Sequence, residues 1–291
     1  SITKIMTSYI AFTEIENKTL SINEDVLVSK KAWQTGGSKM FIEVGKKVKV
    51  SDLLHGIITS SGNDASVAIA EHISGDEETF AIYMNQIAQN LGMNDTNYAN
   101  STGLPDDDLY TSAKDIALLS RSLIKDFPKK YKLYSKKEYV YNEIKQYSRN
   151  KLLYIDDTVD GIKTGFTKKA GYCLVTSAQR GKRRLISVVM GAKSPEARTN
   201  ASKSLLEYGF RFYETHKIFK ATDIITTARV FNGDKQEVGL VVKEDSYIAI
   251  PRRQIKNIKK TFVIDQNLSA PISDDEAVGY VAIKLNDNTL T

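Results

Sequence analysis

The chain has 291 residues, 41% hydrophobic and 26% charged, a balance typical of globular proteins with one large or two modest domains. The net charge of +6 comes from Lys and Arg residues spread along the whole chain, which argues against nucleic-acid binding. No apolar run reaches the roughly 18 to 20 residues that a membrane-spanning helix needs. The single cysteine, Cys173, excludes an internal disulfide, and we interpret it as a small buried hydrophobe.

The first half of the chain is predicted to be mostly helical, because its apolar residues recur every three to four positions. A short strand and turn are expected around Gly45. The predicted helices, in chain order, are residues 1–14, about 51–59, 64–72, a helix that ends at Gly92 and a helix that ends before Pro128.

The second half changes to the alternating pattern of β-strands from about residue 136. The runs "GYCLVTSAQ" and "RRLISVVMGA", separated by "RGK", predict an antiparallel pair, and helical spacing from Pro195 to His216 predicts a last helix on that sheet. Short β-type runs then follow to the end. We therefore expect two domains: residues 1–217, with helices packed on an antiparallel sheet, and residues 218–291, a small all-β domain.

The chain opens with "SITK", which places Ser1 and Lys4 on one face of a helix start. A serine needs a base to act as a nucleophile, and a lysine can serve as that base only if burial or a second cation lowers its pKa. The helix N-terminus also favours negative charge developing at Ser1. This pattern alone is weak, because the chain repeats it at Ser122 to Lys125 and at Ser148 to Lys151.

Two further elements follow in order. "SSGND" places Ser61 and Asn63 at a break between helices, where the bland alternative is an ordinary helix N-cap. "DGIKTGFTKKAG" contains Lys163, Thr164 and Gly165 beside an alternating strand; a strand-initiating turn is the alternative there. Gly165 has no side chain to block a peptide laid along that strand, and Lys163 adds a second positive charge near Lys4. The three elements together form the order associated with penicillin-binding proteins and serine β-lactamases.

The chain resembles the low-molecular-mass penicillin-binding proteins, which are serine-type D-alanyl-D-alanine carboxypeptidases of peptidase family S11. The resemblance extends over essentially all of the sequence. It is carried by "SITKIMTSYI", "HGIITSSGNDASVAIAEH", "SRNKLL", "VDGIKTGFTKKAGYCLV", "RRLISVVMGA" and "KSLLEYGFRFYET". It implies the α/β transpeptidase fold with a C-terminal β-sandwich. Since relatives have a signal peptide and a short strand before the nucleophile, we expect the sequence to begin partway through the fold.

The resemblance also implies a role for each site residue. Ser1 would be the acylated nucleophile, Lys4 its general base, and Ser61 the proton relay to the leaving amine. Asn63 would position Lys4 and bind the substrate amide. Lys163, Thr164 and Arg198 would orient the terminal carboxylate, and Gly165 would leave room for the bound peptide. The backbone N–H groups of Ser1 and Phe166 would form the oxyanion hole. Phe166 departs from the histidine or threonine that relatives often carry there.

Other catalytic classes fit less well. An N-terminal nucleophile hydrolase would use its own α-amine as base and would need neither "SSGND" nor "KTG". A class A β-lactamase would carry a glutamate about 35 residues after the serine-asparagine element, where this chain reads "TNYANSTGLP". The histidines His55, His72 and His216 lack a nucleophile-elbow context, and the run 106–108 lacks calcium-loop spacing. A non-catalytic binding protein remains an alternative, although every expected side chain is present.

The resemblance implies hydrolysis of the terminal D-Ala-D-Ala bond of peptidoglycan stem pentapeptides, with β-lactams as covalent inhibitors and no cofactor or metal. It also implies a periplasmic location. Relatives are held on the outer face of the cytoplasmic membrane by a basic amphipathic C-terminal helix, so we expect such an anchor outside the given sequence.

Overall fold

The structure is a computed structural model that describes residues 2–265, 267–286 and 288–290. The chain divides into two compact units, residues 1–207 and 208–291. The sequence analysis placed this boundary later, at 217/218, and extended the last helix to His216. The helix instead ends at Phe212, because residues Tyr213–Phe219 form a strand that pairs with Ser246–Pro251 of the second unit.

The first unit is rich in helices, as predicted. The helices and helical turns are α1 (Lys4–Glu16), α2 (Lys30–Gln34), α3 (Val50–His55) with a π-helical extension (Gly56–Ser60), α4 (Asn63–Ser74), α5 (Glu77–Asn90), α6 (Ala113–Asp126), a 3-10 helix (Lys130–Ser135), α7 (Leu152–Ile155) and α8 (Pro195–Phe212), which continues into the second unit. Side-chain caps fix several of the starts, including those of α2, α5 and α6. Asp76 accepts from the Thr79 N–H before α5, and Ser112 accepts from the Asp115 N–H before α6.

Helix α1 lies at the centre of the first unit. Its residues from Lys4 to Phe12 are all buried, including the apolar Ile5, Met6 and Ile10. Burial on every side means that this helix is held by packing rather than by an exposed polar face. The polar Lys4 is therefore carried into the interior by the apolar residues around it.

A three-stranded antiparallel sheet shares the hydrophobic core with this helix and contacts Ile2 just before it. Its strands are β5 (Val159–Thr167), β6 (Gly171–Arg180) and β7 (Arg183–Ala192), paired in the order β5-β6-β7, and the predicted pair β6/β7 is confirmed. Two smaller antiparallel pairs precede it in the chain: β1 (Asp25–Leu27) with β2 (Lys47–Lys49), and β3 (Glu138–Tyr141) with β4 (Ile144–Tyr147). In the three-stranded sheet, β5 pairs only with β6 and so presents a free edge among the described residues.

Over its described residues, the second unit is all-β apart from the end of α8 and one 3-10 turn (Ile255–Asn257), as predicted. Its strands are β8 (Tyr213–Phe219), β9 (Thr226–Arg229), β10 (Glu237–Leu240), β11 (Ser246–Pro251), β12 (Ile258–Ile264), β13 (Gly279–Leu285) and β14 (Asn288–Thr289). They form the sheets β8/β11, β9/β10 and β12-β13-β14. Strands β8, β11, β12 and β13 contribute to a small core around Ile248, Ile250 and Ile283. In the part of the chain that the structure describes, no helix combines the length and apolarity needed to cross a membrane.

Candidate active site

The Lys4 side chain is the centre of the site. It is only 1% exposed, and its Nζ donates to Asn63 Oδ1 at 2.6 Å and to the Thr102 carbonyl at 2.7 Å. Burial lowers the pKa of Lys4 to about 7; the nearby Asp64 carboxylate opposes this shift and the Arg149 charge adds to it. Both hydrogen-bond acceptors are neutral, so they hold the amine in position. They stabilise its protonated form less than a directly bonded carboxylate would.

Asn63 is held at the first position of α4 by contacts to the preceding loop. Its Nδ2 donates to the Gly36 carbonyl at 2.6 Å, and its backbone N–H donates to the Ser38 carbonyl at 2.7 Å. Because the amide nitrogen is used by Gly36, the amide oxygen faces Lys4. The side chain is thus oriented by the fold rather than by chance rotation.

Ser61 marks the break between the π-helical segment and α4. Its backbone adopts the left-handed conformation (φ 61°, ψ 34°), and the Gly62 N–H closes back onto the Gly56 carbonyl at 2.9 Å. A Cβ on Gly62 would lie 3.1 Å from the Met40 backbone nitrogen and 2.8 Å from an Asp64 oxygen, so only glycine fits there. This tight turn places the buried Ser61 directly ahead of Asn63.

Asp64 anchors the loop that faces this turn. Its carboxylate accepts from the backbone N–H groups of Met40 (2.8 Å), Phe41 (2.9 Å) and Ile42 (3.3 Å). The carboxylate is fully buried, so these charge-assisted hydrogen bonds replace its lost hydration. Asp64 therefore supports the loop whose carbonyl groups orient Asn63.

Strand β5 presents Lys163, Thr164 and Gly165 at its free edge, and all three are buried. A Cβ on Gly165 would lie 3.0 Å from the Ile2 side chain and 3.4 Å from the Ile2 backbone nitrogen. The strand therefore lies directly against the residue that follows Ser1 in the chain. Ser1 itself lies outside the described residues.

The Lys163 side chain is only 3% exposed, and its Nζ donates to the Thr164 carbonyl at 3.2 Å. Burial lowers the pKa of Lys163 well below its ordinary value, and the positive charges of Lys4, Arg149 and Arg198 lower it further. The site therefore concentrates positive charge around Lys163, which favours the binding of an anionic group.

The Arg198 side chain extends from α8 to strand β5. Its Nη1 donates to the carbonyls of Gly165 (3.0 Å) and Cys173 (3.3 Å), and its guanidinium lies 5.6 Å from the Tyr172 ring centroid. Burial lowers the pKa of Arg198. The structure thus brings Arg198 to the lysine-threonine-glycine strand, as expected. Phe166, one residue further along β5, is 49% exposed and stacks on Tyr172.

Asp64, Thr102 and Arg149 were not singled out from the sequence. Thr102 acts through its carbonyl, and a backbone group has no sequence signature. Arg149 lies in the "SRNKLL" segment, donates to Ser38 Oγ at 2.9 Å and lowers the pKa of both Lys4 and Lys163. Its position in a segment already noted for its resemblance was the signal that could have identified it.

The residues set aside in the sequence analysis lie elsewhere. His72 pairs with Glu24, His216 with Glu214, and His55 stacks on Tyr139. The run 106–108 forms an exposed turn, and Cys173 is buried and forms no disulfide, as interpreted. None of these features forms a nucleophile-base pair with the groups around Lys4.

Comparison with known proteins places both units. The D-alanyl-D-alanine carboxypeptidase family (peptidase S11) matches residues 1–194, and the C-terminal domain of penicillin-binding protein 5 matches residues 213–291. The chain is 41% identical over 298 aligned positions to the D-alanyl-D-alanine carboxypeptidase DacC of Escherichia coli, covering 100% of this chain and 74% of that protein.

Solved structures agree with this assignment. Penicillin-binding protein 5 from Haemophilus influenzae superposes with a TM-score of 0.91 at 40% identity, covering 100% of this chain and 86% of the other. Penicillin-binding protein D2 from Listeria monocytogenes in its ampicillin-bound form gives a TM-score of 0.66 at 32% identity, covering 72% of this chain and 86% of the other. On the fold, the site and these matches, the chain belongs to the D-alanyl-D-alanine carboxypeptidase family of penicillin-binding proteins.

Proposed function

We propose that this chain hydrolyses the terminal D-Ala-D-Ala bond of peptidoglycan stem pentapeptides through an acyl-enzyme on Ser1, and that β-lactams acylate the same serine. The single observation that carries the proposal is the buried Lys4 amine, 2.6 Å from Asn63 Oδ1, with a pKa of about 7. An amine with that pKa is largely neutral near neutral pH and can accept a proton. Membership of the family supplies the reaction class.

In the acylation step, Lys4 takes the Ser1 hydroxyl proton as the oxygen attacks the carbonyl of the penultimate D-alanine. The backbone N–H groups of Ser1 and Phe166 stabilise the oxyanion. The C–N bond then breaks, and the leaving amine receives the proton held by Lys4, relayed through the Ser61 hydroxyl. The short sequence distance from Ser1 to Lys4, and the packing of Ile2 against Gly165, support this arrangement.

The leaving D-alanine carries a carboxylate, which we assign to Lys163, Thr164 and Arg198. The concentration of positive charge along β5 supports this role, since a bound carboxylate would relieve the mutual repulsion of the cations. The carboxylate would also favour the protonated form of Lys163. Substrate binding and the charge state of this lysine are therefore coupled.

In the deacylation step, a water attacks the ester carbonyl as Lys4 accepts its proton; the bond from the Ser1 oxygen to the acyl carbon then breaks, and Lys4 returns the proton to that oxygen. The loop 96–104 contains no glutamate. Glu77, which lies outside this loop, accepts from the backbone N–H and the hydroxyl of Ser101, so its carboxylate is occupied in holding the loop. We therefore expect slow hydrolysis of β-lactam adducts, the behaviour of an inhibited target and not of a β-lactamase.

The substrate places the protein outside the cytoplasm, and we propose the periplasm, with attachment to the outer face of the cytoplasmic membrane by an amphipathic segment. This attachment rests on resemblance alone. Full-length protein should sediment with membranes and be released by removal of its C-terminal segment; full-length protein that stays in the supernatant would contradict it.

The activity is tested by release of free D-alanine from diacyl-Lys-D-Ala-D-Ala by the wild type and by Ser1→Ala, with Ser122→Ala on α6 as a matched control. We expect the Ser1 variant to lose at least about a thousandfold in rate and the control to retain it. Release that survives Ser1→Ala, or no release by the wild type, would overturn the proposal.

A further inference from the structure

An open groove of about 500 Å³ lies where β5 turns into β6, next to the candidate active site. Phe166 and Tyr172 form one part of it, with ring centroids 4.2 Å apart. Three exposed lysines also line the groove: Lys168 and Lys169 from the β5–β6 turn, and Lys193 from the connection between β7 and α8. The groove therefore combines an aromatic surface with three ammonium groups.

The groove lies on the path of the substrate if the proposed function holds, and the inference rests on that function. The leaving D-alanine is assigned to Lys163 and Thr164, and the reacting carbonyl to the Phe166 N–H. An extended peptide advances about 3.3 Å per residue along a strand edge. The residues upstream of the scissile bond would therefore pass Phe166 and reach the β5–β6 turn.

The charge of the groove indicates what it would bind. None of its described lining residues is acidic. Lys169 forms an ion pair with Asp107 at 3.2 Å, but both side chains are largely exposed, so this pair is weak and exchangeable. Neither Lys168 nor Lys193 has an ion-pair partner among the described residues. A carboxylate in the groove would meet cations without having to displace a strong pair.

We propose that this groove is a specificity subsite for a free carboxylate on the substrate, one or two residues upstream of D-Ala-D-Ala. The Phe166–Tyr172 pair would pack against the aliphatic part of that residue. Two carboxylates in a stem peptide have the required chemistry: one on the side chain of a diamino-acid residue directly before D-Ala-D-Ala, and the free α-carboxylate of the γ-linked glutamate before it.

The test compares kcat/KM for D-alanine release from three pentapeptides that carry both carboxylates, only the side-chain one or only the glutamate one, the other being amidated. A fourth peptide has both amidated, and diacyl-Lys-D-Ala-D-Ala serves as the minimal substrate. We expect the free acid that the groove binds to raise kcat/KM about 3- to 10-fold, as one or two exposed ion pairs would. The peptide whose free carboxylate raises kcat/KM shows which of the two carboxylates the groove binds.

Variants separate the groove from general electrostatics. Lys168→Gln/Lys193→Gln should remove the preference and leave the amidated peptide unaffected, whereas Lys182→Gln, in the β6–β7 turn, should retain it. Asp107→Asn should change the preference in the opposite sense, because it removes the carboxylate that competes for Lys169.

Equal kcat/KM for all four pentapeptides, or a loss in the double variant that is the same for free and amidated peptides, would overturn the subsite while the carboxypeptidase activity stands. If the wild type does not cleave the minimal substrate, the proposed function fails and the subsite falls with it.

Discussion

The Nζ of Lys4 lies 2.6 Å from Oδ1 of Asn63, inside the first unit and away from solvent. An amide oxygen orients the amine but carries no full charge, so it does not compensate for the cost of burying an ammonium ion. The relationship between these two side chains therefore determines both where the base lies and when it is neutral.

The pH dependence of acylation follows from the lysine. Because burial lowers the pKa of Lys4 to about 7, the fraction of neutral amine rises through that pH. We expect the rate of acylation by a penicillin to rise from pH 5.5, reach half of its maximum near pH 7 and level off by about pH 8.5. Stopped-flow or quenched mass measurements check this. A rate that still rises steeply toward the ordinary lysine pKa of about 10.4 would contradict the assignment.

Asn63→Asp should shift the midpoint of this pH–rate profile to higher pH. The substitution places a carboxylate where the amide oxygen now contacts Nζ, and an opposite charge at that distance favours the protonated amine. We expect the midpoint to rise by at least about one pH unit and the rate at pH 7 to fall at least about tenfold. Asn90→Asp, at the exposed end of α5, is the control and should leave the midpoint in place. An unchanged midpoint in the Asn63 variant would mean that Asn63 does not contact the group whose titration controls the rate.

Arg149→Gln should also raise the midpoint, but by less. Its charge lowers the pKa of Lys4 and Lys163, yet the side chain is exposed and solvent screens it. A rise of about half a pH unit or less is expected, with Arg149→Lys restoring the wild-type midpoint because it keeps the charge. If Arg149→Lys shifts the profile as much as Arg149→Gln, the effect comes from the hydrogen bond to Ser38 and not from charge.

Two substitutions of Ser61 distinguish the role of its hydroxyl in catalysis from the role of its backbone conformation in stability. Its left-handed conformation costs a residue with a Cβ about 1 to 2 kcal/mol, whereas glycine adopts it without strain. Glycine also has a larger conformational entropy in the unfolded state, which offsets part of this stabilisation. Ser61→Gly should therefore be more stable to urea than Ser61→Ala by about 0.5 to 1 kcal/mol. Both variants lack the proton relay and should lose D-alanine release to a similar extent. An alanine variant as stable as the glycine variant would show that the turn relaxes.

The buried amine also links stability to pH. The pKa of Lys4 is lower in the folded than in the unfolded protein, so between about pH 7 and 10 the unfolded state binds more protons. The free energy of unfolding should then rise with pH, by up to about 1.4 kcal/mol per pH unit, relative to Lys4→Met. Urea unfolding of both proteins from pH 7 to 9.5 measures this difference. Parallel curves would mean that Lys4 is protonated in the folded state throughout.

The sequence predicts much of the catalytic unit, and the reason is local. The helix from Lys4, the break at Ser61 and the strand that contains Lys163 each have their own periodicity or breaker residues, so their types could be assigned without knowing their neighbours. The grouping of the three elements followed from their order and from resemblance to a family. Periodicity alone would not have brought them together.

What the sequence did not predict depends on contacts far apart in the chain. The segment Tyr213–Phe219 continues a helical pattern, but pairing with Ser246–Pro251 makes it a strand. Tertiary context of this kind overrides local propensity. The left-handed turn at Ser61 depends on the close approach of Met40 to Gly62, and the contact from Lys4 to Thr102 uses a backbone carbonyl. Neither has a sequence signature.

The central claim, that Ser1 is acylated with the help of a neutral Lys4, is tested most directly by locating a β-lactam adduct. Wild-type protein is incubated with a penicillin at pH 7.5, its intact mass is recorded, and the modified residue is identified by peptide mapping. We predict one adduct per chain, on Ser1, and none on Lys4→Met within the same time. An adduct on Ser61 or any other residue, or an adduct that forms equally fast without Lys4, would contradict the account.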